Sequence, residues 1–308
     1  MKQYLTILNR DFPIRNSNEQ KQAFRNFVKE QFPSAREETL EKHTNIIIGD
    51  PGKARAIFCA HYDTPRHSVA PNLMLPVNTL PRILYRVAVM LPIFIFAAAL
   101  GFGAGTLARK LGDSMAYRVL CMLPFLAIYF AVSTLVFRGP VNKHNFNDNT
   151  SGTAAVLELA ARLAEKGDSR FAFILFDDEE KGKLGSKAFA AAYPEIKQST
   201  PVLNMDCVGN GGEFILGVTE SFRNDPLYPA FEKAMKEAAL PMNIYDMSKV
   251  SMNSDHKNFG CAAGICACIK SRKGIYYTPR IHTEKDTVAE ESNIAALADA
   301  MTAMTGGA

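Results

Sequence analysis

Residues 171–180 have the sequence FAFILFDDEE, in which an uninterrupted apolar run leads directly into four acidic residues. Six apolar residues without alternation are typical of a strand that is buried on both faces of a sheet. Four successive carboxylates repel one another unless cations neutralise them, and a bound divalent metal ion would do so. Open α/β sheets bind ligands at the carboxyl ends of their strands. The stretch therefore predicts an α/β fold with a metal site at the end of this strand.

Further apolar strands and amphipathic helices lie on both sides of this stretch. We predict strands at residues 45–48, 56–60, 202–205, 213–218 and 264–269. We predict helices at residues 17–32, 151–163, 226–239 and 286–303. The first two strands are separated by a short turn and are expected to start the sheet as a hairpin-like pair. The alternation of strands and helices predicts an α/β fold whose mostly parallel mixed sheet is covered by helices on both faces.

Two long apolar runs interrupt this alternation. Residues 87–108 are 22 residues without a formal charge, and residues 119–137 are 19. A helix of about 20 apolar residues is long enough to cross the hydrocarbon core of a bilayer. We therefore predict one discontinuous domain, residues 1–70 and 141–308, interrupted at residues 71–140 by an inserted apolar helical hairpin.

The hairpin could contact a lipid bilayer through residues 83–138, or it could form a soluble lid or a dimerisation arm. Two crossings would return the chain to the side from which it left. The first eleven residues lack the long apolar core of a secretory signal peptide. The expected location is therefore the cell membrane, with the catalytic domain facing the cytoplasm; a soluble cytoplasmic protein is the alternative. A homo-oligomer is left open.

Charge and cysteine content restrict the classes of function. Residues 66–143 carry a net charge of +7 and the rest of the chain carries −3, so the basic residues flank or join the apolar runs. A nucleic-acid-binding protein would instead cluster its basic residues on a folded face, and we expect no nucleic-acid partner. The six cysteines form no CxxC pair, and we predict that they are buried free thiols.

Other residues that can bind a metal ion lie at strand ends and turns. Imidazole and carboxylate groups are ligands that zinc accepts, and cobalt or manganese can replace zinc in such mixed sites. Side chains two residues apart on a strand point to the same face, so Asp63 can accept the second ring N–H of a metal-bound His61. The candidates outside the acidic stretch are His61, Asp63, Asp148, Asp206 and His282.

Six motifs resemble, in order along the chain, those of the M28 zinc aminopeptidases. They are His61-Tyr62-Asp63, Asn147-Asp148-Asn149-Thr150-Ser151-Gly152, Glu179-Glu180 followed by Leu184-Gly185-Ser186, Asn204-Met205-Asp206, Ser254-Asp255-His256, and Pro279-Arg280-Ile281-His282-Thr283 with Asp286-Thr287. The resemblance covers nearly all of the chain outside the hairpin. It implies an enzyme that uses two zinc ions to hydrolyse N-terminal peptide bonds of short peptides.

The resemblance also implies a role for each motif residue. Asp148 would bridge the two zinc ions, one of which would be completed by His61 and Asp206 and the other by Glu180 and His282. Glu179 would be the general base, and Asp63 would orient His61. The loop that holds Asp255 and His256 would shape the pocket that binds the substrate.

Two alternative functions stay open at the level of sequence. A single-zinc transferase of the glutaminyl cyclase type uses a similar ligand set, and a non-catalytic membrane-bound binding protein could retain the fold. Some relatives carry a tyrosine before the last histidine where this chain has Ile281. The residue that would stabilise the oxyanion is therefore left open.

Overall fold

The computed structural model describes residues 3–68, 72–112, 114–137 and 139–307. In these residues the strands are β1 (Arg36–Leu40), β2 (His43–Ile48), β3 (Ala56–His61), β4 (Leu73–Met74), β5 (Phe171–Phe176), β6 (Val202–Met205), β7 (Glu213–Val218), β8 (Met242–Asp246), β9 (Ala262–Lys270) and β10 (Tyr276–Pro279). The helices are α1 (Tyr4–Asp11), α2 (Asn18–Gln31), α3 (Thr79–Leu111), α4 (Met115–Phe137), α5 (Gly152–Glu165), α6 (Leu184–Ala192), α7 (Pro194–Ser199), α8 (Glu220–Arg223), α9 (Tyr228–Lys236) and α10 (Glu291–Gly306).

The strands form one mixed sheet in the order β1-β2-β5-β3-β6-β9-β10-β4. The four central strands, β5, β3, β6 and β9, are parallel. Antiparallel strands extend both edges, and β7 pairs antiparallel with β9 and parallel with β8. The predicted mixed α/β fold is confirmed.

The start of the sheet differs from the prediction. Strands β2 and β3 do not pair with each other, because β5 lies between them. The hairpin partner of β2 is β1, which the sequence analysis did not predict. Strand β1 has the sequence REETL and lies at the edge of the sheet with its side chains only partly buried, so it lacks the apolar pattern of a core strand.

Helices cover both faces of the sheet, as the sequence predicts. Alternate residues of β3 point to opposite sides: Phe58 packs in a cluster with residues of α1, α2, α5, α9 and α10, whereas Ile57 and Cys59 pack with residues of α6 and α7. Helix α2 begins at a capping box in which Ser17 accepts a hydrogen bond from the backbone N–H of Gln20 and the Gln20 side chain accepts one from Ser17. All six cysteines are buried and free, as predicted.

The apolar hairpin consists of α3 and α4, which pack against each other. Both helices are long and apolar enough to cross a membrane, and only 6% of the most apolar stretch of each is buried. The large exposed hydrophobic side chains of the described residues all lie between Leu80 and Val132. The hairpin therefore places its apolar surface outside the body of the protein.

A short antiparallel stem joins the hairpin to the body. The backbone N–H of His67 donates to the carbonyl of Pro140, and that of Gly139 donates to the carbonyl of His67, over 2.7 and 2.9 Å. Arg66 forms a bridge with Val141. Three residues near the predicted ends of the hairpin lie outside the described residues: Ala70, Pro71 and the basic residue Arg138.

Candidate metal centre

The order of the central strands brings the predicted site residues together. Strands β5, β3 and β6 are parallel neighbours, so their carboxyl ends lie at the same edge of the sheet. His61 ends β3, the Glu179-Glu180 pair follows β5, and Asp206 follows β6. Each strand therefore delivers its metal-binding side chain to the same place.

Asp148 lies at the centre of this group and divides it in two. Its Oδ1 atom is 3.5 Å from His61 Nε2, which is in turn 3.8 Å from Asp206 Oδ1. Its Oδ2 atom is 3.0 Å from His282 Nε2, which is 3.4 Å from Glu180 Oε2. In each group the three potential ligand atoms lie within 4.8 Å of one another. One carboxylate thus faces two sets of ligands.

The turn that holds Asp148 is fixed by a residue to which the sequence analysis gave no role. The carboxylate of Asp286 accepts hydrogen bonds from the backbone N–H groups of Asn147 and Asp148, each over 3.0 Å. The only sequence signal for this role was the position of Asp286 four residues after His282, inside the last motif.

Asn149 and Gly152 pack the same turn against β6. The Asn149 amide donates to the carbonyl of Met205 over 3.0 Å and accepts from the backbone N–H of Gly152 over 3.0 Å. A Cβ atom at Gly152 would lie 2.1 Å from the Met205 carbonyl oxygen, so only glycine allows this approach. The Asp148–Asn149 peptide bond is cis.

Asp63 has a contact that the sequence did not predict, in addition to its position beside His61. Its carboxylate oxygens accept hydrogen bonds from the backbone N–H groups of Glu179 and Glu180, over 3.0 and 3.2 Å. His61 Nδ1 lies 3.1 Å from the carbonyl oxygen of Asp63 and 3.4 Å from its carboxylate, so the carbonyl is the closer partner of the ring. Asp63 therefore positions the turn with the two glutamates as well as the histidine.

Asp177 and Asp178 point away from the metal ligands and are neutralised by protein cations. The buried ammonium group of Lys21, on α2, donates to both carboxylates. Lys181 and His43 also contact Asp178, over 2.9 and 2.8 Å. The sequence analysis assigned the neutralisation of all four acids to metal, whereas the first two have lysine as their partner.

Among the described residues, no lysine or arginine forms an ion pair with the remaining acids of the site. Oε1 of Glu180 and Oδ1 of Asp206 are buried and accept no hydrogen bond from the described part of the chain. A buried carboxylate oxygen without a partner is costly, and a divalent cation would satisfy both atoms. The donor set of imidazole nitrogens and carboxylate oxygens fits zinc. We conclude that these residues can hold the metal ions that the sequence predicts.

The crowding of acids shifts the pKa values of the site. Burial and the nearby carboxylates raise the pKa of Glu180 to about 8, and burial raises the pKa of Glu179 well above its usual value. Burial opposes the charged form of His282, but the charges of Glu180 and Asp148 outweigh it and raise the pKa of the histidine to about 10. The pKa values of the two glutamates rise mainly because their side chains are buried, and the pKa of His282 rises because of the negative charge around it.

The two residues that were predicted to shape the substrate pocket, Asp255 and His256, lie in different surroundings in the structure. Asp255 is fully buried and accepts a hydrogen bond from Ser186 Oγ, and it does not line the cavity beside the site. His256 lines that cavity, is 2% exposed, and has no hydrogen-bond partner for either ring nitrogen among the residues described. Burial lowers the pKa of His256 to about 3, so the ring is neutral.

The cavity has a volume of about 560 Å³. Four of the metal-ligand candidates, Asp148, Glu180, Asp206 and His282, line it together with Glu179. Pockets of this size bind small molecules. Residues of the first turns of α3, to which the sequence analysis assigned no site role, also line the cavity.

Comparison with known proteins supports the fold and the family. The model of "Peptidase family M28" matches residues 135–305. A Zn-dependent exopeptidase from Parabacteroides distasonis is 14% identical, with a TM-score of 0.58 over 97% of this chain and 95% of that chain. The LapA aminopeptidase of Legionella pneumophila is 15% identical, with a TM-score of 0.56 over 98% of this chain and 68% of that chain. A glutaminyl cyclase from Porphyromonas gingivalis is 15% identical, with a TM-score of 0.59 over 99% and 97%.

The chain has the α/β fold of these solved structures, and its site combines imidazole and carboxylate groups that can bind zinc. The chain belongs to peptidase family M28. The matched residues include the candidates from Asp148 to His282, whereas His61 and Asp63 precede them. Their inclusion in the site rests on the distances given above.

Proposed function

We propose that this protein is an aminopeptidase that holds two zinc ions and hydrolyses the N-terminal peptide bond of short peptides. The observation that carries the proposal is the arrangement around Asp148, whose two carboxylate oxygens face separate groups of ligands. His61 and Asp206 would hold one ion, and Glu180 and His282 the other. Membership in family M28 supports peptide substrates.

The bound zinc ions would lower the pKa of a water molecule and polarise the scissile carbonyl group. The protein itself supplies the proton transfer. Glu179 is the carboxylate that lines the cavity without belonging to the two ligand groups around Asp148. It can take a proton from the attacking water and deliver it to the departing amine, as general acid–base catalysis requires.

The chemistry of the site favours a substrate with a free amino group. The carboxylates of Asp148, Glu180 and Asp206, which would hold the zinc ions, line the cavity. A free α-amine can bind a zinc ion through its lone pair and donate hydrogen bonds to these carboxylates, whereas an acylated nitrogen has no basic lone pair. The site therefore selects the end of a peptide chain over its interior.

The experiment that tests the proposal compares the release of a chromophore from aminoacyl and N-acetylated aminoacyl arylamides. Metal-stripped protein is titrated with zinc in detergent, beside the variant Glu179→Gln. We expect activity to rise up to two zinc ions per chain, to require a free amine, and to fall about 10²- to 10⁴-fold in the variant. Glu195→Gln, on the exposed surface of α7, is the matched control and should retain full activity.

A glutaminyl-cyclase-like transferase is the second candidate, because a cyclase shares the fold along nearly its whole length. It would bind one zinc ion per chain and cyclise a peptide with N-terminal glutamine, the α-amine attacking the side-chain amide carbon with release of ammonia. Zinc binding without turnover of any of these substrates would instead support a non-catalytic binding protein.

We further propose that the hairpin, residues 71–140, is an insertion into a single domain formed by residues 1–70 and 141–308, and that residues 83–138 of the hairpin contact a lipid bilayer. The exposure of its apolar side chains and the length of α3 and α4 support a bilayer as the surrounding medium. The stem at His67 and Pro140 lets the chain leave and return at one point. The domain would then stay on one side of the membrane, which we propose to be the cytoplasmic side.

A further inference from the structure

The first turns of α3 contribute two basic residues to the wall of the cavity that the acidic metal ligands also line. Arg82, Tyr85, Arg86 and Val89 all line the cavity. They share one face of the helix because residues three and four positions apart are neighbours on its surface. The carboxylates of the metal ligands and the two guanidinium groups therefore line the same cavity.

This end of α3 is fixed to the body. The backbone N–H of Ser251 donates to the carbonyl of Pro76 over 2.7 Å, and that of Tyr276 donates to the Asn78 side chain over 2.7 Å. Strand β4, which precedes α3, pairs with β10. The arginines of the first turns are thus held at a defined place relative to the site, even though the rest of the hairpin projects away.

Arg82 and Arg86 differ in whether their guanidinium N–H groups have hydrogen-bond partners in the protein. Arg82 donates to the carbonyls of Leu75 and Pro76, over 3.2 and 3.3 Å, and so supports the turn before the helix. Arg86 is exposed and makes no hydrogen bond or ion pair with any other residue that the structure describes. Its guanidinium group is therefore available to a ligand in the cavity.

Resting on the proposed function, we infer that Arg86 binds the C-terminal carboxylate of the substrate, so that the enzyme prefers di- and tripeptides with a free carboxyl group. A short peptide whose amine lies at the metal centre carries its carboxylate a few residues away, and a guanidinium group on the wall of the same cavity can pair with that carboxylate. A guanidinium group can bind a carboxylate through two parallel hydrogen bonds. Arg82 adds positive charge one turn away.

A lipid headgroup is the competing ligand for Arg86. The residue directly precedes the uncharged run 87–108, where arginine side chains extend to the membrane surface. Its position on the cavity wall, together with Tyr85 and Val89, favours the substrate. The two ligands predict different effects of the same substitution.

The test uses the full chain, loaded with zinc in detergent, and pairs of di- and tripeptides as free acids and as C-terminal amides. For the wild type we expect a lower KM for the acids than for the amides. In Arg86→Gln the KM for the acids should rise about 10- to 100-fold, the effect of losing a charge-assisted hydrogen bond, with kcat unchanged. Unchanged kinetics with the amides would show that the variant is folded. Arg109→Gln, at the other end of α3, is the matched control.

Three results would overturn the inference, and they are distinguishable. Equal KM values for acids and amides, unaffected by the substitution, would refute the role of Arg86 and leave the aminopeptidase intact. Weaker binding of Arg86→Gln to phosphatidylserine vesicles, with the acid-to-amide ratio unchanged, would assign the arginine to a headgroup. If the wild type hydrolyses neither peptides nor aminoacyl arylamides, the proposed function fails together with the inference.

Discussion

The α/β body and the apolar hairpin both contain many apolar side chains, but the body buries them and the hairpin exposes them. In the body, β3 and β5 bury every one of their residues between two layers of helices. In the hairpin, residues such as Leu84 and Phe94 are 60% and 66% exposed. The apolar side chains of the body are surrounded by other residues of the body. Those of the hairpin are exposed and would be stabilised by apolar surroundings outside the chain.

The two regions meet at the cavity. The body contributes the metal ligands, and the first turns of α3 contribute further residues that line the same cavity. The stem also reaches the site, because the backbone N–H of Ser68 donates to the carbonyl of His282 over 2.8 Å. The difference teaches that an inserted segment can lie largely outside the core of a domain and still line the cavity beside the candidate metal centre.

Removal of the hairpin should have the largest effect. A variant in which Asn-Gly joins Ser68 to Gly139 keeps the stem, and a two-residue turn of this kind closes antiparallel strands. We expect membrane association to fall to background, since about 20 apolar residues per helix are lost. Flotation with lipid vesicles measures it, with Arg109→Gln as the control that keeps both helices. Continued flotation of the shortened protein would mean that the body binds the membrane.

Truncation of one phenylalanine in each region should separate the two kinds of burial. Phe58 is fully buried and its ring centroid lies 5.6 Å from that of Phe173. Phe58→Ala should lower the free energy of unfolding of the body by about 3–5 kcal/mol, through lost burial and the cavity left behind. Phe94→Ala, on the exposed surface of α3, should leave it unchanged. Denaturation followed by far-ultraviolet circular dichroism is suitable because the chain has no tryptophan; equal losses would show that the hairpin packs on the body.

Metal removal should affect the stability of the body alone. Zinc at 100 times its dissociation constant would stabilise the folded state by about 2.7 kcal/mol, provided that the unfolded chain does not bind it. A chelator should therefore lower the melting temperature of the wild type. Asp148→Asn should melt at one temperature with or without chelator, because the substitution changes the residue shared by both ligand groups. A chelator effect that persists in this variant would place the metal elsewhere.

The capping box of α2 should give the smallest effect. Ser17→Ala removes the acceptor for the backbone N–H of Gln20 and should cost about 1 kcal/mol of stability. Ser199→Ala, at the exposed C-terminal end of α7, is the matched control and should cost almost nothing. Because α2 carries Lys21, the loss should appear in the unfolding of the body. Equal stabilities of the two variants would show that the cap does not limit this helix.

The strands that carry the site could be predicted because the sequence of each strand is sufficient to indicate its conformation. The apolar run 171–176 and the acids that follow it predict both a buried strand and a functional strand end. The same reasoning failed for β1, whose polar residues depend on β2 for their conformation. It also wrongly paired β2 with β3, because it assumed that strands adjacent in the sequence are adjacent in the sheet.

Roles that depend on distant contacts could not be predicted. Nothing local distinguishes Asp177 and Asp178 from Glu179, yet Lys21 from another element binds the first two. Asp63 accepts from backbone groups more than a hundred residues away, and Asp286 does so for the turn at Asp148. Hydrogen bonds of this kind exist only after the chain has folded.

The sequence by itself determined the fold class, the presence of two long apolar helices and the candidate metal ligands, because periodicity, apolar length and ligand chemistry are local properties. Only the tertiary structure decided that Asp148 faces two ligand groups and that Arg86 shares a cavity with them. Distances between residues far apart in the chain depend on strand order and on the stem. Both of these are fixed by packing and by backbone hydrogen bonds that no short stretch of sequence contains.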